Sequence, residues 1–279
     1  MRRVHRFAGI AAMALLAAGP SAIGPSSGVA APDPLHGDLC LARAPKLTHS
    51  YAHLAALQLA AADPAGISAE DHAEFLFKLG LLEGHLVIGK ALLDINQPRA
   101  ALPHFGHPVR ELYDDIHEAL PARGLKDFDT DLIALEAMVA AKPTDAATMA
   151  KFEDVMRIVA AARATVPDRL RNAEPFMLGV LAEIMETSSE DYNESIESGR
   201  IEKPVEYHDS RGYLLYAATE IARLEAVPAI KSDARMKAFH AELDKARAIV
   251  GPLLPPERPL KSVAQFKAIV AKAKAIAQG

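Results

Sequence analysis

Apolar residues recur along this 279-residue chain at steps of three and four, the period of helices that bury one face. Ser68-Ala69-Glu70-Asp71 is close to a capping box and opens a helix running to about Ile95. Between Phe75 and Leu93 that helix is apolar on almost every side, which predicts a place in the middle of a bundle. Upstream, Thr48 predicts the cap of a helix over 48–62, ended by Asp63-Pro64-Ala65-Gly66. Pro98, Pro103 and Pro108 then break the chain, and Pro108 is placed as the first residue of a helix over 108–120. Further helices are expected over 129–141 and 145–166. After Gly251 a proline-rich linker leads to a closing helix over 262–277. Val263, Phe266 and Val270 give it an apolar side, and Lys267, Lys272 and Lys274 a basic one.

The second half of the chain repeats features of the first. Phe77-x-Leu79-Gly80-Leu81-Leu82 reads against Phe176-x-Leu178-Gly179-Val180-Leu181, and Pro108-Val109 against Pro204-Val205. Leu135-Glu136-Ala137 then matches Leu224-Glu225-Ala226, and Met149-x-x-Phe152 matches Met236-x-x-Phe239. The order is the same and the offset shrinks steadily, as shorter loops in a second copy would make it. The expected fold is all-α, with tandem duplicated antiparallel four-helix bundles over 68–167 and 168–256. An N-terminal segment and helix (32–67) precede them, and a C-terminal amphipathic helix (257–279) follows.

Composition narrows the class. Half the residues are hydrophobic (50%), 24% are charged and tryptophan is absent, as in a folded helical chain with a sizeable core. The formal charge of -5 argues against nucleic acid as a partner. The first 31 residues read as a secretory signal peptide: a basic Met-Arg-Arg-Val-His-Arg start, an apolar stretch over 7–18, and small residues at Gly28-Val29-Ala30-Ala31. The mature chain is expected to begin near Pro32, in the periplasm or outside the cell. Losing Arg2, Arg3 and Arg6 makes it more acidic still. Cys40, the only cysteine, has no partner for an intramolecular disulfide, and without Cys-x-x-Cys-His there is no covalent haem attachment. Membrane contact is expected only through the basic closing helix.

The chain has no Gly-x-Ser-x-Gly, P-loop, Gly-x-Gly-x-x-Gly or His-Glu-x-x-His motif. Binding is therefore expected rather than catalysis; a hydrolase or lyase would have to rest on Glu111 or Asp114 with a histidine. The 11 histidines carry more information. His85 lies inside the apolar helix, where an imidazole needs a hydrogen-bond partner or a metal. His104 and His107, followed by Glu111 one turn on, supply three borderline ligands from one hairpin, with His85 as a fourth. His49 and His53 share a helical face and form a further candidate pair. Glu206, His208 and Asp209 occupy the corresponding place in the second half and make a second candidate site. Each set also fits histidines held by hydrogen bonds alone. His36, His72, His117 and His240 sit among charged or loop residues and are expected in solvent. The acidic stripe Glu183, Glu186, Glu190, Asp191, Glu194 and Glu197 reads as a solvated helix face. Nitrogen and oxygen donors without thiolates suit iron, copper or zinc, and noncovalent haem stays open.

The leader, the helical body, the tandem units and the elements Gly84-His85 and Gly106-His107 to Glu111 together resemble the imelysin-like periplasmic proteins. Gly84 adjoins His85 directly and Glu111 lies four residues after His107, so the family's Gly-x-His-x-x-Glu motif is not matched. The resemblance implies a duplicated helical bundle associated with bacterial iron uptake. The function it favours is noncatalytic metal binding in uptake or homeostasis, with a metal ion or an envelope transport protein as partner. The alternative is a cell-envelope interaction module with no metal, using the acidic stripe and the basic helix.

Overall fold

Side-chain caps set where the long helices begin. The computed structural model describes residues 66–228, 230 and 233–279, all in one compact unit. The leader, Cys40, His36, His49, His53 and the helix expected over 48–62 lie outside the described residues. Helix α1 (Ala69–Asp94) opens at a complete capping box in which the Ser68 side chain accepts from the Asp71 amide and the Asp71 carboxylate accepts from Ser68. Two short helical turns follow, α2 (Pro98–Ala101) and α3 (Pro103–His107), then a π-helical turn (Pro108–Leu112) and α4 (Tyr113–Ala119). Helices α5 (Asp129–Ala141) and α6 (Ala146–Ala164, capped by Asp145) complete the first half.

The second half comprises α7 (Asp168–Arg171), α8 (Glu174–Glu194), α9 (Pro204–Glu225), α10 (Ala234–Val250, capped by Asp233) and α11 (Val263–Gln278). The chain turns from α8 to α9 through a two-stranded hairpin, β1 (Ile196–Glu197) and β2 (Arg200–Ile201), with Ser198 and Gly199 at positive φ. Helix α11 opens at a second capping box, Ser262 with Gln265. The fold is all-α, with this one small hairpin among the described residues.

Helices α8, α9, α10 and α11 pack as a four-helix bundle, and α1 lies along α9 and α8 as a fifth long helix. Residue pairs give antiparallel directions: Ser188 meets Ser210 between α8 and α9, while Lys274 reaches Glu183 and Tyr192 meets Phe266 edge to face between α8 and α11. The fourth helix of this bundle is thus the closing helix, which buries Phe266, Val270, Ala273 and Ala277. Its basic side is engaged as well, since Lys274 bridges Glu183 and Glu186. Helix α6 packs on α1, and α5 packs on α6 and α3. The two halves share a single apolar core, and no described helix is long and apolar enough to cross a membrane.

Where α1 crosses α9 the backbones touch. A Cβ on Gly212 would collide with the Gly84 carbonyl oxygen, and one on Gly84 would lie 2.7 Å from the Tyr213 ring. Only glycine allows this approach, and it seats His85 of α1 directly against Asp209 and Tyr213 of α9. Farther along, Arg163 of α6 ties the same two helices together, 3.0 Å from Glu83 and 2.6 Å from Glu220, both of them buried.

Candidate metal centre

Three elements deliver the donor atoms. His85 projects from the apolar helix α1, His104 and His107 from α3, and Asp209 from α9. Pro108 does not start a new helix as the sequence suggested. The helical path is continuous from Pro103, and His107 has helical φ and ψ rather than those of an N-cap. Pro108 has no amide hydrogen to donate inside that path. The turn from Pro108 to Leu112 widens to a π-helix, which carries Glu111 beside His107.

All four residues are buried, with His104 at 0% and Asp209 at 2% exposure. The Nδ1 atoms of His85 and His104 both stand 2.6 Å from the same Asp209 oxygen, Oδ1, and His107 Nδ1 lies 3.3 Å from Oδ2. One donor atom from each of the four lies within 4.8 Å of every other. With metal–ligand bonds of about 2.0–2.2 Å, two ligands of one ion stand roughly 3–4 Å apart, so these four can close on a single ion.

The hydrogen bonds around the donors suit that role. Tyr213 places its hydroxyl 2.9 Å from His85 Nε2, leaving Nδ1 to face Asp209. A hydroxyl can donate to Nε2 or accept from Nε2–H, so Tyr213 serves His85 whether or not Nδ1 carries a proton. His104 Nε2 is fully buried with no partner among the described residues, so their hydrogen bonds alone leave this imidazole half satisfied. Burial alone would raise the Asp209 carboxyl, but His85, His104 and His107 outweigh it and hold the group well below the usual carboxylate range. The result is a buried anion facing three nitrogen bases.

Glu111 borders the cluster, 3.8 Å from His107. Burial pushes its carboxyl up to about 7; His107 opposes the rise and Asp209 adds to it. His208 lies on the far side of His104, ring to ring at 5.4 Å, and not with the donors. Burial and the neighbouring His104 lower it to about 4. A haem does not fit this arrangement: three imidazoles and a carboxylate with donor atoms within 4.8 Å of one another leave no room for a porphyrin plane. The donor set suits a bare ion.

Residues 167–279 match the model of the iron permease-associated 4-helix bundle domain. The match spans less than half of the chain and covers α8 to α11, the four helices that form the bundle. Asp209 is the one member of the histidine cluster inside the matched residues. No curated protein and no solved structure matches the chain.

The structure therefore joins His85, His104 and His107 as the spacing suggested, with Glu111 at the border. It brings Asp209 into the first candidate site while leaving it beside Glu206, and His208 belongs to neither group of donor atoms. His49 and His53 lie outside the described residues. Of the residues expected in solvent, His72 is fully buried, and Asp191 of the acidic stripe is half-buried, grouped with Glu206 and Asp209.

Proposed function

We propose that this chain is an exported, noncatalytic helical-bundle protein that holds a transition-metal ion through His85, His104, His107 and Asp209 in the service of iron uptake. The observation that carries this reading is the convergence of three buried imidazoles on one buried carboxylate. Nitrogen and oxygen donors without thiolate suit iron, zinc or cupric copper. Similarity to the iron permease-associated bundle favours iron among them and an envelope iron permease as the protein partner. The leader supports the compartment: Met-Arg-Arg, an apolar stretch and a small-residue end precede the expected mature start at Pro32. The interaction-module alternative draws no support from α11, whose apolar face and Lys274 are used within the bundle.

The test is elemental analysis of the mature chain, purified from periplasm without tag or chelator. It is run beside His85→Ala, His104→Ala/His107→Ala and Asp209→Asn variants shown to be folded. Stoichiometric metal in the wild type, lost in all three, is expected, and competition among Fe, Cu and Zn names the ion. A wild-type protein that stays metal-free after challenge with all three ions refutes the reading. So does metal that persists in the folded variants.

A further inference from the structure

His107 Nδ1 stands near two carboxylates that differ in access to solvent. Asp209 Oδ2 lies 3.3 Å from it on a side chain only 3% exposed, and Glu111 Oε1 lies 3.8 Å from it on a side chain 20% exposed. The longer separation is beyond hydrogen-bond range. It does match the roughly 3–4 Å between two ligands of one ion, given metal–ligand bonds of about 2.0–2.2 Å. The same nitrogen can therefore share an ion with the inner carboxylate or with the outer one.

Glu111 nonetheless stands outside the group of mutually close donors, which comprises His85, His104, His107 and Asp209. An ion held by those four does not need it. Its place is set by the π-helical turn Pro108–Leu112, which follows directly on the helix that carries His104 and His107. Single π turns of this kind inside a helical path are frequent at functional sites.

The four inner ligands set a problem of rate. None of their side chains is more than 7% exposed. An arriving ion must exchange its water shell for buried donors, and a departing one must leave them before water can replace them; a charge stripped of partners in such surroundings is costly. A half-exposed carboxylate that shares one ligand with the centre divides this exchange into two smaller steps. The ion, still partly hydrated, meets Glu111 and His107 first. It then passes to Asp209, His85 and His104 while His107 stays bound, and exit runs the same steps in reverse.

We propose that Glu111 is the transfer ligand of the histidine centre: with His107 it forms an outer position that loads and unloads the ion without belonging to the resting site. A transfer ligand lowers the barrier in both directions and leaves the equilibrium alone. This inference rests on the histidine site proposed above and names how that site exchanges its ion, which a chain serving metal uptake must do once to load and once to deliver.

The experiment is stopped-flow mixing of the full mature chain at pH 8 with Co(II), a borderline divalent ion whose visible bands report its ligands. Loading is followed on mixing with Co(II), and unloading on mixing the loaded protein with excess chelator. The wild type is compared with Glu111→Gln, which keeps the shape of the side chain, and with Asp114→Asn, which removes an exposed acid nearby. In Glu111→Gln loading and unloading should both slow by about 10–100-fold. The dissociation constant should stay within a few-fold of wild type and the Co(II) bands should not change. Loss of charge alone weakens steering and slows loading without slowing unloading; Asp114→Asn gives the size of that effect. Wild-type rates in Glu111→Gln overturn the proposal and leave the histidine site standing, as does slower loading with unchanged unloading. Weaker binding with altered bands also overturns it, because Glu111 would then be a resident ligand. A wild type that binds no Co(II), or the same bands in a folded His104→Ala/His107→Ala protein, refutes the histidine site and this inference together.

Discussion

Replacing Gly212 by alanine tests whether the ligands are brought together by backbone contact between α1 and α9. The new methyl would collide with the Gly84 carbonyl oxygen and stand 3.0 Å from both the Gly84 carbonyl carbon and Ile88 Cβ. A backbone oxygen cannot swing aside as a side-chain tip can, so the helices must part. Overpacking of this kind costs about 1–3 kcal/mol, and alanine's better helix propensity returns about 1 kcal/mol. A net loss of about 0–2 kcal/mol corresponds to a fall in Tm of at most roughly 8 °C for a protein of this size. The effect on metal should be larger in proportion. His85 follows Gly84, Asp209 and Tyr213 flank Gly212, and the His85–Asp209 distance is 2.6 Å. A site that must hold its geometry to about 0.5 Å loses roughly 10–100-fold in affinity when its support shifts. Thermal unfolding by circular dichroism and metal titration against a competing chelator read the two effects. Gly80→Ala is the control, because its methyl would meet side-chain atoms of Tyr216 (2.6 Å) and Ile184 (2.7 Å) rather than backbone, one turn from the ligands. It should lower Tm and leave affinity within a few-fold of wild type. A Gly212→Ala protein with wild-type Tm and wild-type affinity would refute the argument.

Glu111→Gln should change the pH dependence of the metal-free protein. Burial first, with help from Asp209, raises this carboxyl to about 7, so the folded state keeps a proton that the unfolded chain releases near its ordinary value of 4.5. The group's contribution is favourable at low pH and is lost as pH rises from about 4.5 through 7. The glutamine variant should therefore be more stable than wild type at pH 8, by at most about 3 kcal/mol, and equal to it at pH 4; denaturant melts at the two pH values decide. Arg163→Met leaves buried Glu83 and Glu220 without the guanidinium between them and should cost about 3–5 kcal/mol in chemical denaturation at pH 7. Phe266→Ala removes a fully buried ring from α11 and should also cost about 3–5 kcal/mol. A near-neutral Phe266→Ala would show that α11 is an appendage and not the fourth helix of the bundle.

Local signals marked the helices well because caps and apolar period are local physics. Ser68 opens α1, and the helix expected over 129–141 has those bounds in the structure. The histidines of the centre were legible because an imidazole among leucines needs an explanation, and His85 has one. Asp209 was harder to place. It lies 124 residues from His85, and the contact that joins them depends on glycines in two distant helices, which no periodicity encodes. The available signal was an acid sharing a helix with Tyr207, Tyr213 and Leu214 and a glycine one turn after it. Asp191 was misread for a geometric reason. Glu183, Glu186, Glu190 and Glu194 follow one face of α8, whereas Asp191 is one residue, or about 100°, round the helix and shares its face with buried Ile184, Ser188 and Ser195. His72 was hidden by its charged neighbours Glu70, Asp71 and Glu74, although it lies on the side of α1 that buries Ala69, Ala73 and Leu76.

The division of the centre along the chain bears on how much the family similarity can carry. The residues that match the iron permease-associated domain, 167–279, contain Asp191, Glu206 and Asp209 but none of the three histidines. Taken alone, that part offers oxygen donors, which favour hard cations and discriminate poorly among them. The nitrogen donors come from α1 and α3, outside the match, and reach Asp209 because Gly84 and Gly212 let α1 lie against α9. On the proposed reading, selectivity for a borderline metal would therefore come from the packed pair of halves and not from either sequence segment. An ion held between them would also tie α1 and α3 to α9, so metal should raise the stability of the whole described unit and not only of the bundle. Hydrogen exchange can decide this. Protection that increases on metal loading in α1, α3 and α9 together supports a centre shared by the halves, whereas protection confined to α8 and α9 would place the ion on the carboxylates alone.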